Sequence, residues 1–449
     1  MGRLLRVGLG LLLSTIVGSG CTIRIGGGFS PLGDDGTSQD EDEGTPTRLP
    51  EPDIWRVSPP ELTPEQQQKQ DEVDQYLLEE YRDYEIVATT QGYSGDIIDW
   101  MNSDSLPGPQ LEPPPPTWTA ADLVPSPGAG LARTELELYP ELRGPEGTTP
   151  FHRPDFAAYV LGQTGASSLE DYLDSYQEGG QPSGQKRLYA GFRWDVPNMG
   201  ASGSINQYGG DVEQGTFSLI EIAVACSGLD EPNTLEQIGA VVSRDKVNFP
   251  GFFDTNPRMH IEYLAEGYES MRKRKGAWDH QRSGFIAQRG RPYGPGVVVP
   301  ASTLGLGTPP QEHRFDIQQD ASGNWWIAHN GNTLGYYPAS LFDLLNLGAC
   351  RSAWYGEVFD PTPTDWTWTD MGSGEFGPAA YGYAAYVKDP IYRDLLNAPT
   401  APIDDPLVNL QMTPFANACY TRATMTKAAP PWGRYLYLGG PGGDAPGCD

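Results

Sequence analysis

From about Leu161 onward the chain alternates apolar and polar residues in short runs: KRLYAGFRW, FSLIEIAVAC, RMHIEYLAE, HRFDIQQ, NWWIAHN, YGYAAYV and GRYLYLGG. Gly, Pro, Asn and Asp separate them. A period of two is that of a β-strand, and many short strands punctuated by turn residues predict an all-β fold, a sandwich of two antiparallel sheets or a barrel, and not parallel βαβ units. In FSLIEIAVAC the alternation puts Ile220, Ile222 and Val224 on one face and Phe217, Leu219 and Glu221 on the other. A core under one face and an aromatic, carboxylate-bearing surface on the other would produce that pattern.

Upstream the period becomes helical. Thr63 can cap a helix, Pro64 suits its first position and Gln66 completes a capping box. Val73, Tyr76, Leu77, Tyr81 and Tyr84 then recur on one face, which is expected to dock on the sandwich. GYSGDIIDW and the extended, proline-rich LEPPPPTW follow. Before the helix, residues 21–60 are rich in Gly, Pro and acidic side chains and read as a disordered linker. Residues 1–20 read as an export signal: Arg3 and Arg6, an apolar run from Val7 to Val17, then small residues before Cys21. The run is short for a membrane span. It resembles a bacterial lipoprotein signal, with Cys21 as the acylated residue tethering the chain to the outer membrane or cell surface; cleavage to a free secreted protein is the plainer reading. The expected organisation is thus signal (1–20), linker (21–60), small, partly helical N-terminal region (61–170) and β-sandwich (171–449).

Thirty basic against 59 acidic residues leave a net charge of −29, which excludes nucleic acid as an expected partner. Without Cys21, four cysteines remain, Cys226, Cys350, Cys419 and Cys448, an even number suited to disulfides in an oxidising compartment. The five histidines show no HExxH or close ligand spacing, and no GxSxG elbow or phosphate loop is present, so neither a metal nor a cofactor is expected. Two isolated carboxylates among strand-like runs stand out instead: Glu236 in NTLEQIGAVVS and Glu357 in WYGEV. An isolated strand glutamate is commonly a solvated face residue. A pair of them, one taking a proton from water and one giving a proton to a leaving group, would be hydrolytic. Trp325, Trp326, Tyr336 and Tyr337 are candidates to line a substrate groove, although aromatics in strands more often fill a core.

Several of these segments, taken in order, resemble the neprosin family of secreted glutamic peptidases: NTLEQIGAVVS, GNWWIAHNGNTLGYYPASLF, WYGEV, MGSGEFG, and the tail from NACY through WGRYLYLGGPGGDAPGC. SGDIIDW and GPEGTTPFHRP resemble that family's N-terminal activation region, removed on maturation. The resemblance implies a β-sandwich of two antiparallel sheets, a precursor, and a catalytic pair carried onto Glu236 and Glu357. It implies peptide or protein substrates, with cleavage beside proline as one preference, which makes LEPPPPTW a candidate substrate mimic lying across the site. Glu221 stands where plant members have Gln, and Glu375 where they have His. Glu221, Gln237 and Tyr355 are candidate neighbours of the pair, the last two as oxyanion donors. Cys419 and Cys448 match paired positions of the family's tail, which leaves Cys226 with Cys350. An acidic activity range is expected, since a carboxyl pair shares one proton mainly in acid. The whole reads as a monomeric exported endopeptidase. A surface module that binds peptides or glycans without cleaving them, and a glycosidase, are the alternatives.

Overall fold

A computed structural model of the chain describes residues 48–115, 125, 129–164, 166–177, 186–227, 234–245, 256–266, 276–280, 284–360, 367–400, 418–423, 425–427, 433–444 and 448. The export signal, Cys21 and most of the linker lie outside the described residues. Those from Pro46 onward belong to one compact unit. No helix among the described residues is long and apolar enough to cross a membrane.

The N-terminal part holds helix α1 (Pro64–Glu80), strands β1 (Ile86–Gln91), β2 (Ile97–Asn102), β3 (Gly130–Leu131) and β4 (Thr148–His152), and short helices α2 (Glu135–Leu138), α3 (Ala157–Val160) and α4 (Leu169–Gln177). Helix α1 begins as its sequence dictates. Thr63 Oγ1 accepts from the Gln66 N–H at 3.3 Å, and Gln66 Oε1 accepts from the Thr63 N–H at 2.9 Å. Its apolar face is met chiefly within this region and not by the sandwich: α1 packs on α3 and α4, and Tyr76 meets Phe156 edge-on at 5.7 Å. Its C-terminal end, with the following Tyr81 and Tyr84, approaches the sandwich through a small cavity that they and Tyr76 share with Asp279 and His280.

The strands that follow are β5 (Lys186–Trp194), β6 (Gly200–Asn206), β7 (Phe217–Cys226), β8 (Glu236–Asp245), β9 (Arg258–Leu264), β10 (Gly276–Trp278), β11 (Ile286–Ala287), β12 (Gln311–Gln319), β13 (Trp325–His329) and β14 (Asn332–Tyr337). Then come β15 (Arg351–Asp360), β16 (Ala385–Arg393), β17 (Pro399–Thr400), β18 (Thr421–Arg422), β19 (Thr426–Lys427) and β20 (Arg434–Gly439). They form two sheets. One has six strands in the order β10-β9-β8-β7-β15-β5, and the other runs β11-β14-β13-β12-β6-β16-β20-β18 with β3, β17 and β19 attached at its sides. All pairings within them are antiparallel except that of β3 with β12. The expected sandwich is therefore the fold.

Alternation makes the core. Ile220, Ile222 and Val224 of β7, Ile238, Ala240 and Val242 of β8, and Trp354 and Val358 of β15 are buried against Ile205, Ile317, Val387 and Leu436 of the larger sheet. Trp354 stacks on Phe192 with ring centroids 5.0 Å apart, and its indole N–H donates across to the Ser202 carbonyl at 2.9 Å. A fully buried tryptophan whose N–H is satisfied gives large apolar burial without an orphaned donor. Phe217, Leu219, Val241 and Phe359 form a separate cluster on the other face of the six-stranded sheet. Both disulfides, Cys226–Cys350 and Cys419–Cys448, are present, with Cα atoms 4.7 and 4.9 Å apart.

The N-terminal region is seated on both sheets. The Ala132 N–H donates to Glu312 O on β12, and Asp96 lies 3.5 Å from Arg258 on β9. The approach to the proline-rich stretch runs along the edge of the larger sheet, where the Tyr336 hydroxyl donates to Pro109 O at 2.7 Å and Gln110 Nε2 to Ala287 O at 3.1 Å. That is the sheet opposite to the one bearing the carboxylates described next; residues 116–118 lie outside the described residues.

Candidate active site

The pairing registers decide which carboxylates can meet. Glu236 is opposite Cys226 on β7, whereas Glu357 is opposite Leu219, seven positions further along the same strand and so roughly 23 Å away. Alternation also sends Glu236 to the core face together with Ile238 and Val242. There its Oε1 accepts from the Asp343 N–H at 2.8 Å, and its Oε2 from the N–H groups of Leu344 and Leu345 at 2.9 and 2.7 Å. The side chain ties down a turn and is fully engaged in doing so. The expectation that Glu236 sits beside Glu357 is therefore not met.

A different set converges on the outer face of the six-stranded sheet. Tyr355 is directly opposite Glu221 across β15 and β7, and its hydroxyl donates to Glu221 Oε2 at 2.6 Å. Glu357 lies two residues along β15, diagonal to Glu221, a spacing of about 7–8 Å at Cα. From β5, Arg187 ion-pairs with Glu357, its guanidinium within 6 Å of the Phe217 and Phe359 rings. From β8, Gln237 Nε2 donates to Glu221 Oε1 at 3.2 Å and to Glu262 Oε1 on β9 at 2.6 Å. Gly239 makes this approach possible. A Cβ there would stand 2.4 Å from Glu221 Oε1 and 2.9 Å from Glu262 Cγ.

All three carboxylates are buried, with Glu221 1%, Glu357 4% and Glu262 7% exposed. Burial, then the neighbouring charges of Glu262 and Glu357, push the Glu221 carboxyl well above the ordinary range. Burial raises Glu262 to about 7, against the pull of the Gln237 hydrogen bond, with the Glu357 charge adding to the rise. Like charges crowded in low dielectric cannot all ionise, so the patch holds at least one proton.

The suggested neighbours Glu221, Gln237 and Tyr355 thus lie together with Glu357, and Glu262 joins them unforeseen. Its signal was present in RMHIEYLAE, where Met259, Ile261 and Tyr263 take the core phase and Glu262 the outward one; that β9 lies beside β8 was not readable. The proposed groove aromatics belong elsewhere. Trp325, Trp326, Tyr336 and Tyr337 are buried in β13 and β14 of the larger sheet; the indole N–H groups donate to Leu345 O and Asp320 Oδ2, and Trp326 packs on Tyr336 at 4.7 Å. Glu375 is exposed and takes no part. Among the described residues no group of His, Cys, Asp and Glu could hold a metal ion.

Solved structures to which the chain is distantly similar include Scytalido-glutamic peptidase with a peptide-based transition-state analogue, at 8% identity and a TM-score of 0.28. Another is SCP-B of the Eqolisin family in complex with the tripeptide Ala-Ile-His, at 7% identity and a TM-score of 0.26. Each alignment covers 57% of this chain and 98% of the other. Likenesses so distant carry no argument about the site. The family model of neprosin matches residues 214–441, a span that includes Glu221, Gln237, Glu262, Tyr355 and Glu357 and just over half of the chain. The chain belongs to the neprosin family.

Proposed function

We propose that this protein is a glutamic endopeptidase whose pair is Glu221 and Glu357. One observation carries the reading: two buried carboxyls on diagonal positions of neighbouring strands, one hydrogen-bonded by a tyrosine hydroxyl and the other ion-paired to an arginine, in a chain of the neprosin family. Amide hydrolysis needs an acid and a base held together, and here the environments differ. Glu221, pushed up by burial and by its carboxylate neighbours, is the proton donor to the leaving nitrogen. Glu357 takes the proton of the attacking water. Tyr355 and Gln237 are the nearest side-chain donors for a developing oxyanion.

Because burial keeps a proton on the patch, activity extends from acid towards neutrality and is lost when Glu221 ionises. Cleavage beside proline is the preference that family membership suggests. Export fits the two disulfides, and the proposal includes a precursor whose N-terminal region is removed and an anchor at Cys21. The test is digestion of a proteome-derived peptide library at several pH values, with fragments identified by mass spectrometry. Wild-type protein is expected to release fragments, and Glu221→Gln and Glu357→Gln are expected not to. Absence of fragments from mature wild-type protein at every pH would leave a binding module.

A further inference from the structure

A two-residue mechanism leaves the third buried carboxylate without a task. Glu262 reaches the patch from β9, on the far side of β8 from Glu221. Its link to the pair is specific. One amide nitrogen, Gln237 Nε2, has two hydrogens and two carboxylate acceptors, Glu262 Oε1 and Glu221 Oε1. Glycine at 239 removes the one side chain that would separate the two carboxyls. Several groups face Glu262: Glu221 and Glu357, Tyr355, Arg187 beyond Glu357, the His260–Asp279 pair two residues along its own strand, and Tyr337 from behind the sheet. Arg187, the cation of this patch, is bonded to Glu357 and not to Glu262.

We propose that Glu262 is a positioning residue that, through the shared Gln237 amide and its negative charge beside Glu221, holds Glu221 in the orientation and protonation state of the acid. The inference rests on the proposed function. An amide at position 262 would keep the shape and still accept from Gln237, but it would remove the negative charge beside Glu221. Glu221 would then ionise at lower pH.

The experiment compares pH–rate profiles of wild type, Glu262→Gln and Glu262→Asp, with Glu221→Gln and Glu357→Gln as controls. Glu262→Gln is expected to lower kcat about 10-fold with KM within about twofold, and to move the limb where activity falls on raising pH down by about one unit. Glu262→Asp, which keeps the charge, is expected to retain the wild-type limb. A Glu262→Gln profile that superimposes on wild type overturns the proposal. Should that variant fail to fold, Glu262→Ala is read in the same way: an upper pH limb lowered by about one unit supports the role, and a wild-type limb overturns it. Activity surviving in both Glu221→Gln and Glu357→Gln would instead sink the choice of pair, whatever Glu262 does.

Discussion

Tyr355 and Glu221 face each other directly across β15 and β7, hydroxyl to carboxylate at 2.6 Å, with Glu221 buried and Tyr355 half-buried. This contact orients one carboxyl of the candidate pair without neutralising it. Tyr355→Phe should preserve the fold and lower kcat by about 10- to 100-fold, since a hydrogen bond to a charged or proton-sharing group contributes about 1.5–3 kcal/mol. Steady-state kinetics with a melting curve will check it; a wild-type kcat would remove Tyr355 from the mechanism.

Glu236 and Glu357 should respond to substitution in opposite ways. Glu357→Gln is expected to abolish turnover, by 100-fold or more, in a protein that still folds. Glu236→Gln leaves the outer face untouched and weakens three backbone hydrogen bonds. It should cost roughly 1–3 kcal/mol of stability while leaving turnover per folded molecule within a few fold. Activity lost in Glu236→Gln without a fall in melting temperature would contradict this assignment.

Gly239→Ala adds one methyl group where the nearest carboxyl oxygen lies 2.4 Å away. Glu221 and Glu262 must then part. The expected result is a stability cost of about 1–3 kcal/mol, as for other overpacked sites, with a larger loss of activity than that cost implies. Activity in proportion to the folded fraction would argue that their approach has no functional role.

The pH dependence of stability follows from two opposed sets of groups. Burial pushes His313 down to about 3, and holds His329 and His280 well below the ordinary histidine value, with His313 and Arg291 respectively adding to the effect. The unfolded chain protonates these rings near pH 6.5. Stability is therefore lost as pH falls below that value, by ~1.4 kcal/mol per pH unit for each ring. Glu221, Glu262 and Glu135 act in reverse. Burial raises Glu262 and Glu135 to about 7 and Glu221 well above the ordinary value, so their contribution is complete below the unfolded value of 4.5 and is lost as pH climbs above it. The two sets offset between about pH 4.5 and 6.5; below 4.5 the histidine loss continues unopposed and is joined by that of Asp96, which, against its burial, Arg258 and His152 hold at about 2. Melting temperatures should thus be nearly flat down to about pH 4.5 and fall steeply beneath it, less steeply in His313→Gln. An identical acid limb in that variant would refute the account.

The disulfides should contribute unequally. Cys226–Cys350 closes 124 residues and Cys419–Cys448 closes 29, so loop entropy assigns them about 5 and 3.5 kcal/mol. Replacing Cys226 and Cys350 by Ser should lower the melting temperature further than replacing Cys419 and Cys448. The reverse order would show that strain or denatured-state structure dominates.

Local chemistry made much of this protein readable in one dimension. The alternation in FSLIEIAVAC foretold which side of β7 would be buried, because side chains on a strand must alternate. Thr63, Pro64 and Gln66 announced the start of α1, since capping depends on near neighbours. Alternation in EQIGAVVS also carried the clue that Glu236 shares a phase with Ile238 and Val242, and that Gln237 and Gly239 take the other. The motif outweighed that clue, and a one-residue difference in phase moved the side chain to the opposite face. What no local pattern held was strand order and register. Whether Glu221, Glu262 and Glu357 meet depends on β9, β8, β7 and β15 lying side by side and on where each begins its pairing. Those are long-range contacts selected by burial of the whole core, and only the folded sheet brings the three carboxyls to one patch.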